Sequence, residues 1–507
     1  AEDGIRDYKV TGVQTCALPI FKVPDLSGGY TENPSYIDNP MLAEPEVTPF
    51  EGRRPTIHGD IVHSRPLTMT YGSKSGGGSE FRVFYGANDG LYRAVNPDNG
   101  REDWAFIAPE HQAAVGRLYA NTPTVDYFGL APEQSALIGA ETKQYFFDGS
   151  TGSFTRYDAQ GQLEEGYLYL TQRRGGRMIY ALDVSPAEGT SGAPPEAPKF
   201  LWRAGCISDT AASCTDDELS GMGHTWSAPV TGFVRSYVGE DGSLERPNPV
   251  LLMGGGSDAC LDEDEPALDP IDCQRGKFIY ALDGKTGAVL RAFPTQAPVV
   301  ADIEVIDFDY DGYIDFAYAA DVAGRIYRLT FSHVVDGLID HSVALSSEEW
   351  IWPEQPIAET NRAGLRFMNQ PVAAEVGDNI FITLGSGDRE RPLKQNYPYD
   401  KQVKNRFYAF IDTPLAPRAT TIDLDTLLDA STGLASSPEQ EGPIENILQY
   451  DGWYLDLPDR GEQVVNQSAI GGGYVFFNSF QAQGSSKGFC SDLGTAKAYR
   501  EIGRAHV

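Results

Sequence analysis

Four aspartates and a glycine form the stretch of this sequence that is best suited to hold a metal ion. Residues 307–315 read D-x-D-x-D-G-x-x-D. A cation of the size of calcium prefers six to eight oxygen ligands at about 2.3–2.6 Å, supplied by a loop that can turn sharply. The pattern therefore predicts a calcium site with four carboxylates and the backbone carbonyl of Tyr313, from Asp307, Asp309, Asp311, Tyr313 and Asp315.

The loop differs from an EF-hand in two respects. Position twelve is Tyr318, where an EF-hand has a bidentate glutamate, and both flanks read as strands rather than helices. Gly312 lies where the loop must bend, because a residue without Cβ adopts the required backbone angles most easily. Without a cation, four carboxylates this close would repel one another and raise each other's pKa. The alternative interpretation is a solvated acidic turn that holds no ion.

Acidic residues outnumber basic residues by a wide margin in this chain of 507 residues. There are 72 Asp and Glu against 40 Lys and Arg, which gives a formal net charge of -32. Nucleic-acid binding requires clustered Lys and Arg, so this balance argues against a nucleic-acid partner. No apolar run approaches the length of a membrane span. The 54 glycines, 33 prolines and 26 tyrosines favour many short strands joined by tight turns.

Two pairs of cysteines each bracket a short segment: Cys206 with Cys214, and Cys260 with Cys273. Neither pair has the spacing of a zinc site. We predict that each pair forms a disulfide that closes a surface loop, which indicates an oxidising compartment. Free surface thiols are the alternative. Cys490 has no evident partner, and we expect that partner to lie beyond the C-terminal end of this sequence.

The two ends of the chain do not resemble protein that evolved to fold. Residues 1–20 and 501–507 each resemble the translation of a sequencing adaptor. Such segments are excluded from fold reasoning. We predict a lead-in segment at residues 21–56 and a β-propeller domain at residues 57–500. The natural protein is expected to continue beyond both ends, with the last blade truncated.

Two short sequence motifs, which we call phrases, alternate along the chain. The first is a small or polar residue, then proline, then an apolar run, and it predicts the innermost strand of a blade, because proline there costs no ladder hydrogen bond. Its copies, the last of which lacks the proline, begin at Ser64, Asn121, Ser227, Gln296, Asn369 and Asn466. The second phrase alternates large apolar with small or polar residues, as a half-buried strand does. Its copies cover residues 84–94, 178–183, 278–287, 325–329 and 406–412.

Repeats of roughly forty or more residues, built from short antiparallel strands, are typical of β-propeller blades. Six units are in phase and we expect a seventh among the irregular segments, so the sequence predicts an all-β, seven-bladed propeller. The acidic loop falls inside one unit. Residues 298–306 read as an innermost strand that leads into Asp307, and residues 316–320 read as the next strand. An ion in this turn would neutralise the carboxylates and lock the hairpin.

Together these phrases resemble the C-terminal propeller of the PilC/PilY family, the biogenesis factors and tip adhesins of type IV pili. The matching stretches follow family order across nearly the whole natural segment, at residues 59–64, 85–90, 104–107, 178–183, 224–230, 307–315, 370–372 and 452–458. The resemblance implies a PQQ-like β-propeller. It also implies calcium ligands at the same positions of the loop: Asp307, Asp309, Asp311, Tyr313 and Asp315.

The resemblance further implies a role in pilus assembly and adhesion, with control of pilus biogenesis and retraction and of surface attachment. The expected partners are minor pilins and the pilus tip, together with host or abiotic surfaces. The expected location is extracellular, at the pilus tip or the outer-membrane surface of a Gram-negative bacterium. The large N-terminal region of the family is absent from this sequence, and the acidic insertion between Cys260 and Cys273 has no assigned counterpart.

The rival interpretation is an enzyme, a PQQ-dependent quinoprotein dehydrogenase, which is also a propeller. Residues 98–104 give one near-copy of its turn phrase D-x-x-T-G-x-x-x-W, but the other turns lack the tryptophan. The chain has no adjacent pair of cysteines and no C-x-x-C-H haem motif. Its seven histidines are scattered, and no H-E-x-x-H helix occurs. We therefore predict that the chain is not an enzyme.

Overall fold

Antiparallel β-sheets form nearly all of the regular structure of this chain. The computed structural model describes residues 22–24, 30–32, 59–74, 76–115, 125–126, 141–187, 192–208, 210–235, 237–239, 246–262, 270–352, 355–390, 403–416, 420–431, 451–482 and 494–502. Within these ranges no helix combines the length and the apolar character that a membrane span requires.

Three pairs of short strands lie outside the main sheets. They are β1 (Lys22–Pro24) with β2 (Tyr30–Glu32), β7 (Val125–Asp126) with β8 (Glu141–Thr142), and β20 (Val334–Val335) with β21 (Leu338–Ile339). Short 3₁₀ helices connect the strands at Pro109–His111, Arg173–Gly175, Ala211–Ser213, Asp217–Gly221, Ala259–Leu261, Pro270–Asp272 and Ser347–Glu349. One α-helical turn covers residues 112–115.

Sheets I, II and III each contain four strands that are consecutive in the chain. Sheet I is formed by β3 (Leu67–Ser73), β4 (Ser79–Gly86), β5 (Leu91–Asn96) and β6 (Arg101–Ile107). Sheet II is formed by β9 (Thr151–Tyr157), β10 (Leu163–Thr171), β11 (Arg177–Asp183) and β12 (Lys199–Cys206). Sheet III is formed by β13 (Val230–Gly232), β14 (Val250–Gly254), β15 (Phe278–Asp283) and β16 (Val289–Pro294).

Sheets IV, V and VI are less regular. Sheet IV has the order β17 (Glu304–Ile306), β18 (Phe316–Ala320), β19 (Arg325–Thr330), β22 (Ala358–Glu359) and β26 (Ile422–Asp423). Sheet V has the order β23 (Val372–Val376), β24 (Asn379–Gly385), β25 (Arg406–Asp412), β28 (Gly452–Asp456) and β27 (Leu428–Asp429). In sheet VI, β29 (Glu462–Val464), β30 (Ala469–Gly471) and β32 (Thr495–Ile502) all pair with β31 (Tyr474–Gln481).

Five hydrophobic clusters fix the order of the sheets in space. Each cluster combines buried side chains of two sheets that follow one another in the chain: I with II, II with III, III with IV, IV with V, and V with VI. The middle strands are therefore covered on both faces. In β18, Phe316 and Tyr318 pack toward sheet V, whereas Ala317 and Ala319 pack toward sheet III. Successive side chains of a strand point to opposite faces, so one strand serves two interfaces.

Most of the strand phrases predicted from the sequence lie on strands of these sheets. Every copy of the second phrase coincides with strands: β4 with β5, then β11, β15, β19 and β25. The first phrase leads directly into β3, β13, β23 and β30, whereas the strand after Gln296 begins only at Glu304. The copy at Asn121 falls almost wholly outside the described residues. Sheet II instead begins with β9, at Thr151, which no proline precedes.

Six sheets of four or five strands, not seven, are present in the described part of the chain, so the predicted number of blades is not confirmed. The all-β propeller arrangement itself is confirmed. β32 includes Glu501 and Ile502, so it runs past the boundary predicted at Arg500.

Both predicted cysteine pairs lie at disulfide-bonding distance. Cys206 ends β12 and forms an antiparallel bridge with Cys214. Cys260 and Cys273 have Cα atoms 5.7 Å apart. Cys206 and Cys273 are buried. Cys490 lies outside the described residues.

Candidate metal centre

The acidic loop joins two neighbouring strands of sheet IV. β17 and β18 pair in antiparallel register, and Ile306 opposite Phe316 is the last pair before the loop. The backbone N–H of Asp315 donates to the carbonyl of Ile306 at 2.9 Å and closes the base of the loop. Residues 307–315 therefore connect the two strands of a hairpin, at the position that the repeat phasing predicts.

Two residues with positive φ give the loop its sharp turn. Tyr310 has a φ of 60° and Gly312 a φ of 91°. No other atom lies within 4 Å of the position that a Cβ would take on Gly312, so the backbone angle rather than crowding favours glycine there. Tyr310 adopts its conformation with a side chain that is 79% exposed. Positive φ is uncommon for a bulky residue and carries strain.

The carboxylates of the loop accept hydrogen bonds from the loop's own backbone. Asp307 accepts from the N–H groups of Asp311 at 3.0 Å and Gly312 at 2.8 Å. Asp315 accepts from the N–H of Phe308 at 2.8 Å. Aspartate side chains commonly stabilise turns by bonding to nearby backbone in this way. The shape of the loop thus depends on the same carboxylates that are predicted to be ligands.

Three of the four aspartates converge. Asp307, Asp309 and Asp315 each place a carboxylate oxygen within 4.8 Å of the others. Two oxygens on opposite sides of a calcium ion are about 5 Å apart when each bond is about 2.3–2.6 Å long, so this spacing suits a shared ion. The donors are all hard oxygens, which favour calcium or magnesium over metals that prefer nitrogen or sulfur.

Asp311, the fourth predicted carboxylate, makes a different set of contacts. Its Oδ2 atom forms an ion pair with the guanidinium of Arg235 and lies 3.9 Å from Nδ1 of His341. The Nε2 atom of His341 lies 2.7 Å from Oδ2 of Asp309. Asp309, Asp311 and His341 form a second group whose potential ligand atoms lie within 4.8 Å of one another. The structure therefore does not bring Asp311 into the convergent group of three.

Asp315 is the buried member of the convergent group, with 1% of its surface exposed. Burial raises the pKa of Asp315, and the negative charges of Asp309 and Asp307 raise it further. Hydrogen bonds from Ser332 and from the backbone of Phe308 act in the opposite direction. A cation in the loop would favour the charged carboxylate, because an opposite charge lowers the pKa of a neighbouring acid.

Tyr313 connects the loop to sheet III. Its backbone forms a parallel bridge with Phe233, and the N–H of Ile314 donates to the Phe233 carbonyl at 2.7 Å. The guanidinium of Arg235 lies 4.8 Å from the centre of the Tyr313 ring. The N–H of Tyr313 donates to Oδ1 of Asp311 at 2.9 Å. These contacts fix the backbone at the position that is predicted to supply a carbonyl ligand.

Three residues that contact the loop were not predicted from the sequence: Arg235, Ser332 and His341. Arg235 follows β13 in sheet III, and Ser332, which donates to Asp315, follows β19 in sheet IV. His341 follows the small hairpin of β20 and β21. No motif marks any of the three, because only the packing of sheets III and IV brings them to residues 307–315.

The six sheets, packed in chain order, define the class of protein as an all-β propeller. One of its hairpins carries an acidic loop with three convergent carboxylates. Residues 68–346, more than half of the chain, match the family model described as the PilY1 beta-propeller domain. The chain therefore belongs to the PilY1 β-propeller family. The acidic loop lies inside the matched range, and the resemblance to the PilC/PilY family is confirmed.

Two curated relatives show how much of a longer protein this chain represents. The type IV pilus biogenesis factor PilY1 of Pseudomonas aeruginosa strain UCBPP-PA14 is 28% identical over 295 residues, which are 54% of this chain and 21% of the relative. A PilY1 homolog of Xylella fastidiosa strain Temecula1 is 23% identical over 434 residues, 81% of this chain and 29% of the relative. The chain spans less than a third of the length of either relative.

A solved structure supports the fold. The crystal structure of the Pseudomonas aeruginosa PilY1 C-terminal domain matches 79% of this chain and 76% of that chain, with a TM-score of 0.51 and 17% identity. Both curated relatives are named for pilus biogenesis rather than for a catalysed reaction. This agrees with the prediction that the chain is not an enzyme and argues against the quinoprotein alternative.

Proposed function

We propose that this chain is the calcium-binding propeller of a type IV pilus assembly and adhesion protein. The observation that supports calcium binding is the convergence of Asp307, Asp309 and Asp315 within one hairpin loop. Family membership supports the pilus role. Each part of the proposal has its own experiment.

The loop offers each predicted ligand a distinct role. Asp307, Asp309 and Asp315 would hold the ion through their carboxylates, and Tyr313 would add its backbone carbonyl. Asp311 would join them by sharing its carboxylate between the ion and Arg235, with which it is paired. The bound ion would supply positive charge and would offset the repulsion that raises the pKa of Asp315.

Ion binding would act on the shape of one surface hairpin. Asp307 and Asp315 already hold the two ends of the loop through backbone hydrogen bonds. A shared ion would tie Asp309 to both ends and so hold the exposed tip that carries Tyr310. A ligand that binds only the ordered hairpin stabilises it by mass action. The surface around Tyr310 would then depend on the calcium concentration.

The ordered surface would meet minor pilins or the pilus tip and so control pilus biogenesis and retraction. Attachment to host or abiotic surfaces would be a function of the full-length protein. The two cysteine pairs at disulfide-bonding distance favour an extracellular location, at the pilus tip or the outer-membrane surface of a Gram-negative bacterium.

Calorimetry tests the calcium site. Wild-type chain and the variants Asp307→Ala and Asp309→Ala are titrated with calcium after dialysis against a chelator. We expect one site in the wild type and a loss of at least tenfold in affinity in each variant. Asp98→Ala is the matched control, because Asp98 is an exposed aspartate in sheet I that pairs with Lys74. The absence of binding in the wild type, or equal binding in all variants, would refute the site.

Recovery of minor pilins tests the pilus role. The full-length protein is immobilised and exposed to the minor pilins of the same bacterium, with calcium or with chelator. We expect at least one minor pilin to be retained, and to be retained less in chelator or by the Asp307→Ala variant. Failure to retain any minor pilin would count against the role in pilus assembly without bearing on calcium binding.

A further inference from the structure

A cavity of about 250 Å³ lies where loops from all six sheets meet. Sheets I to V each contribute a lining residue from the segment that leads into the first strand, and sheet VI contributes one from the segment between β29 and β30: Arg65, Ser150, Trp226, Asp302, Asn369 and Asn466. First strands of successive sheets also contact one another, as β9 does with β13 and β17 with β23. The cavity therefore lies at the centre of the ring of sheets, away from the acidic loop.

Three buried donors without partners lie on the lining of this cavity. Within the described ranges, Nε of Arg173, Nε1 of Trp226 and Nδ2 of Asn369 are buried and have no hydrogen-bond partner. Trp226 and Asn369 are each only 8% exposed. Oδ1 of Asn466 is also unpaired. Buried donors in native proteins are nearly always hydrogen-bonded, so each such group requires an explanation. A bound acceptor would supply one.

The charged groups of the lining are mostly positive. Arg65, Arg173 and Arg389 contribute guanidinium groups, and Asp302 contributes a carboxylate. Asp302 lies 3.8 Å from Arg65 and accepts a hydrogen bond from the backbone of Ala228 at 2.6 Å. Two guanidinium groups are thus left in excess over the carboxylate of the lining. This is a local exception in a chain with a formal net charge of -32.

Glu390, next to the cavity, removes part of this excess, because it pairs with Arg173. Its carboxylate forms ion pairs with Arg173 and with Arg174, the latter at 3.3 Å, and Nε2 of His63 lies 3.7 Å away. Arg389 reaches the same carboxylate only through Nε, at 3.8 Å. Burial lowers the pKa of Arg389, and the neighbouring charge of Arg173 lowers it further. Arg389 is therefore a half-buried cation, with its side chain 34% exposed and the Glu390 carboxylate 3.8 Å from its Nε.

Arg173 is held in an unusual conformation at the edge of the cavity. Its φ is 48°, in the left-handed region that a branched or long side chain seldom adopts. Its guanidinium lies 4.1 Å from the centre of the Trp226 ring, so the two residues form a cation–π pair. Strained backbone that persists in a native fold is concentrated at binding sites. The strain and the unpaired Nε occur in the same residue.

We propose that this axial cavity binds a small anion of the dicarboxylate class. The guanidinium groups of Arg173 and Arg389 would bind its carboxylates, and the N–H donors of Trp226 and Asn369 would complete the site. Guanidinium groups match carboxylate geometry and form strong charge-assisted hydrogen bonds. The positive excess of the lining favours an anion, and the volume suits a ligand smaller than the drug-sized molecules that fill pockets of about 300–1,000 Å³.

The proposal does not depend on the calcium site or on the pilus role. It assigns a ligand to a part of the propeller that the acidic loop does not reach. Phosphate shares the oxygen chemistry and the charge of a dicarboxylate, so the experiment must separate the two anions.

The indole N–H of Trp226 gives a direct readout. The full chain is labelled with ¹⁵N-tryptophan, and its six tryptophans give six indole signals, of which Trp226→Phe identifies one. Sodium succinate, sodium phosphate and sodium chloride are added in separate titrations at equal ionic strength. We expect succinate to move the Trp226 signal in a saturable manner and chloride to leave it unchanged. A saturable shift with phosphate alone would overturn the dicarboxylate assignment, and no saturable shift with succinate would overturn the site.

Variants of the cavity test which groups hold the anion. Arg389→Met is expected to weaken succinate binding at least tenfold, and Asn369→Leu, which keeps every charge, is expected to weaken it several-fold. If Arg389→Met does not fold, Asn369→Leu by itself tests whether the cavity holds the anion. The matched control is Arg246→Met, because Arg246 is 53% exposed and pairs with Glu164 far from the cavity. Unchanged succinate affinity in the folded cavity variants would refute the proposed ligands.

Discussion

The guanidinium of Arg235 pairs with the carboxylate of Asp311 and so places a positive charge at the edge of the acidic loop. Arg235 follows the first strand of sheet III, whereas Asp311 lies in the hairpin of sheet IV. The same guanidinium lies over the ring of Tyr313. Arg235 therefore occupies a carboxylate that is a proposed calcium ligand, and it also connects the loop to the neighbouring sheet.

Replacing Arg235 is expected to strengthen calcium binding. Arg235→Leu removes a positive charge next to the site and releases Oδ2 of Asp311 for the ion. Opposite charges near a protein surface interact by amounts that correspond to about a tenfold change in affinity, or about 1.4 kcal/mol. Calorimetry measures the change, with Arg246→Leu as the control for the loss of an arginine elsewhere. Weaker binding in Arg235→Leu would mean that Arg235 orients Asp311 for the ion instead of competing with it.

The variant Asp315→Asn should separate the destabilisation that the buried charge causes from the contribution of that charge to ion binding. The amide oxygen can still accept from Phe308, and the amide N–H₂ can donate to the hydroxyl of Ser332, so the hydrogen bonds are kept. Without calcium, loss of a repelled and buried charge should raise the free energy of unfolding by roughly 0.5–1 kcal/mol. With calcium, the variant should be less stable than the wild type, because an amide is a weaker ligand.

Thermal unfolding in chelator and in calcium measures both effects of Asp315→Asn. Asp98→Asn is the control for an exposed aspartate outside the loop. If the variant is less stable than the wild type under both conditions, then Asp315 has a structural role alone.

The pH dependence of stability should report on Glu390 at the central cavity. Burial alone would raise the pKa of Glu390, but the charges of Arg173, His63, Arg174 and Arg389 outweigh burial and lower the pKa to about 2. A carboxyl whose pKa is depressed by folding stabilises the protein above its unfolded pKa, and this contribution is lost as the pH falls through the folded value. The loss should therefore occur between about pH 4.5, the ordinary value, and about pH 2.

Glu390→Gln tests this contribution. At neutral pH the variant should be less stable than the wild type by roughly 2–3 kcal/mol, since one pKa unit corresponds to about 1.4 kcal/mol. The difference should shrink toward zero as the pH approaches 2. Urea unfolding at a series of pH values measures it, and Glu348→Gln, at an exposed position, is the control. A difference that does not change with pH would show that packing, and not charge, accounts for the loss.

We expect both cysteine pairs to be oxidised when the protein is produced in an oxidising compartment. Alkylation of the unfolded chain without reductant is expected to leave Cys206, Cys214, Cys260 and Cys273 unmodified in the intact mass. The double variant Cys260→Ser/Cys273→Ser should lose roughly 2–4 kcal/mol of stability, because it opens a loop with a sequence separation of 13. Opening the shorter loop, with a separation of 8, should cost less. Alkylation of these four cysteines without reductant would refute the disulfides.

Much of the strand pattern was predictable because it is local. The alternation of large and small residues in 278–283 and 406–412 lies on β15 and β25, where one strand serves two interfaces. The proline phrase was less reliable. Pro298 precedes a loop of the central cavity rather than a strand, and sheet II begins at Thr151 without a proline. A proline is compatible with the start of an edge strand but does not require one.

The sequence by itself determined the acidic loop, its hairpin position and the family, because the aspartates, the glycine and the flanking strands are neighbours in the chain. It did not determine the division of the four aspartates into a convergent group of three and an Asp311 paired with Arg235. Nor did it reveal the unpaired donors of Arg173, Trp226 and Asn369 around one cavity. These relationships join residues that are far apart in the chain. Only the packing of sheets around a common centre decides which of their charges and hydrogen-bond donors meet.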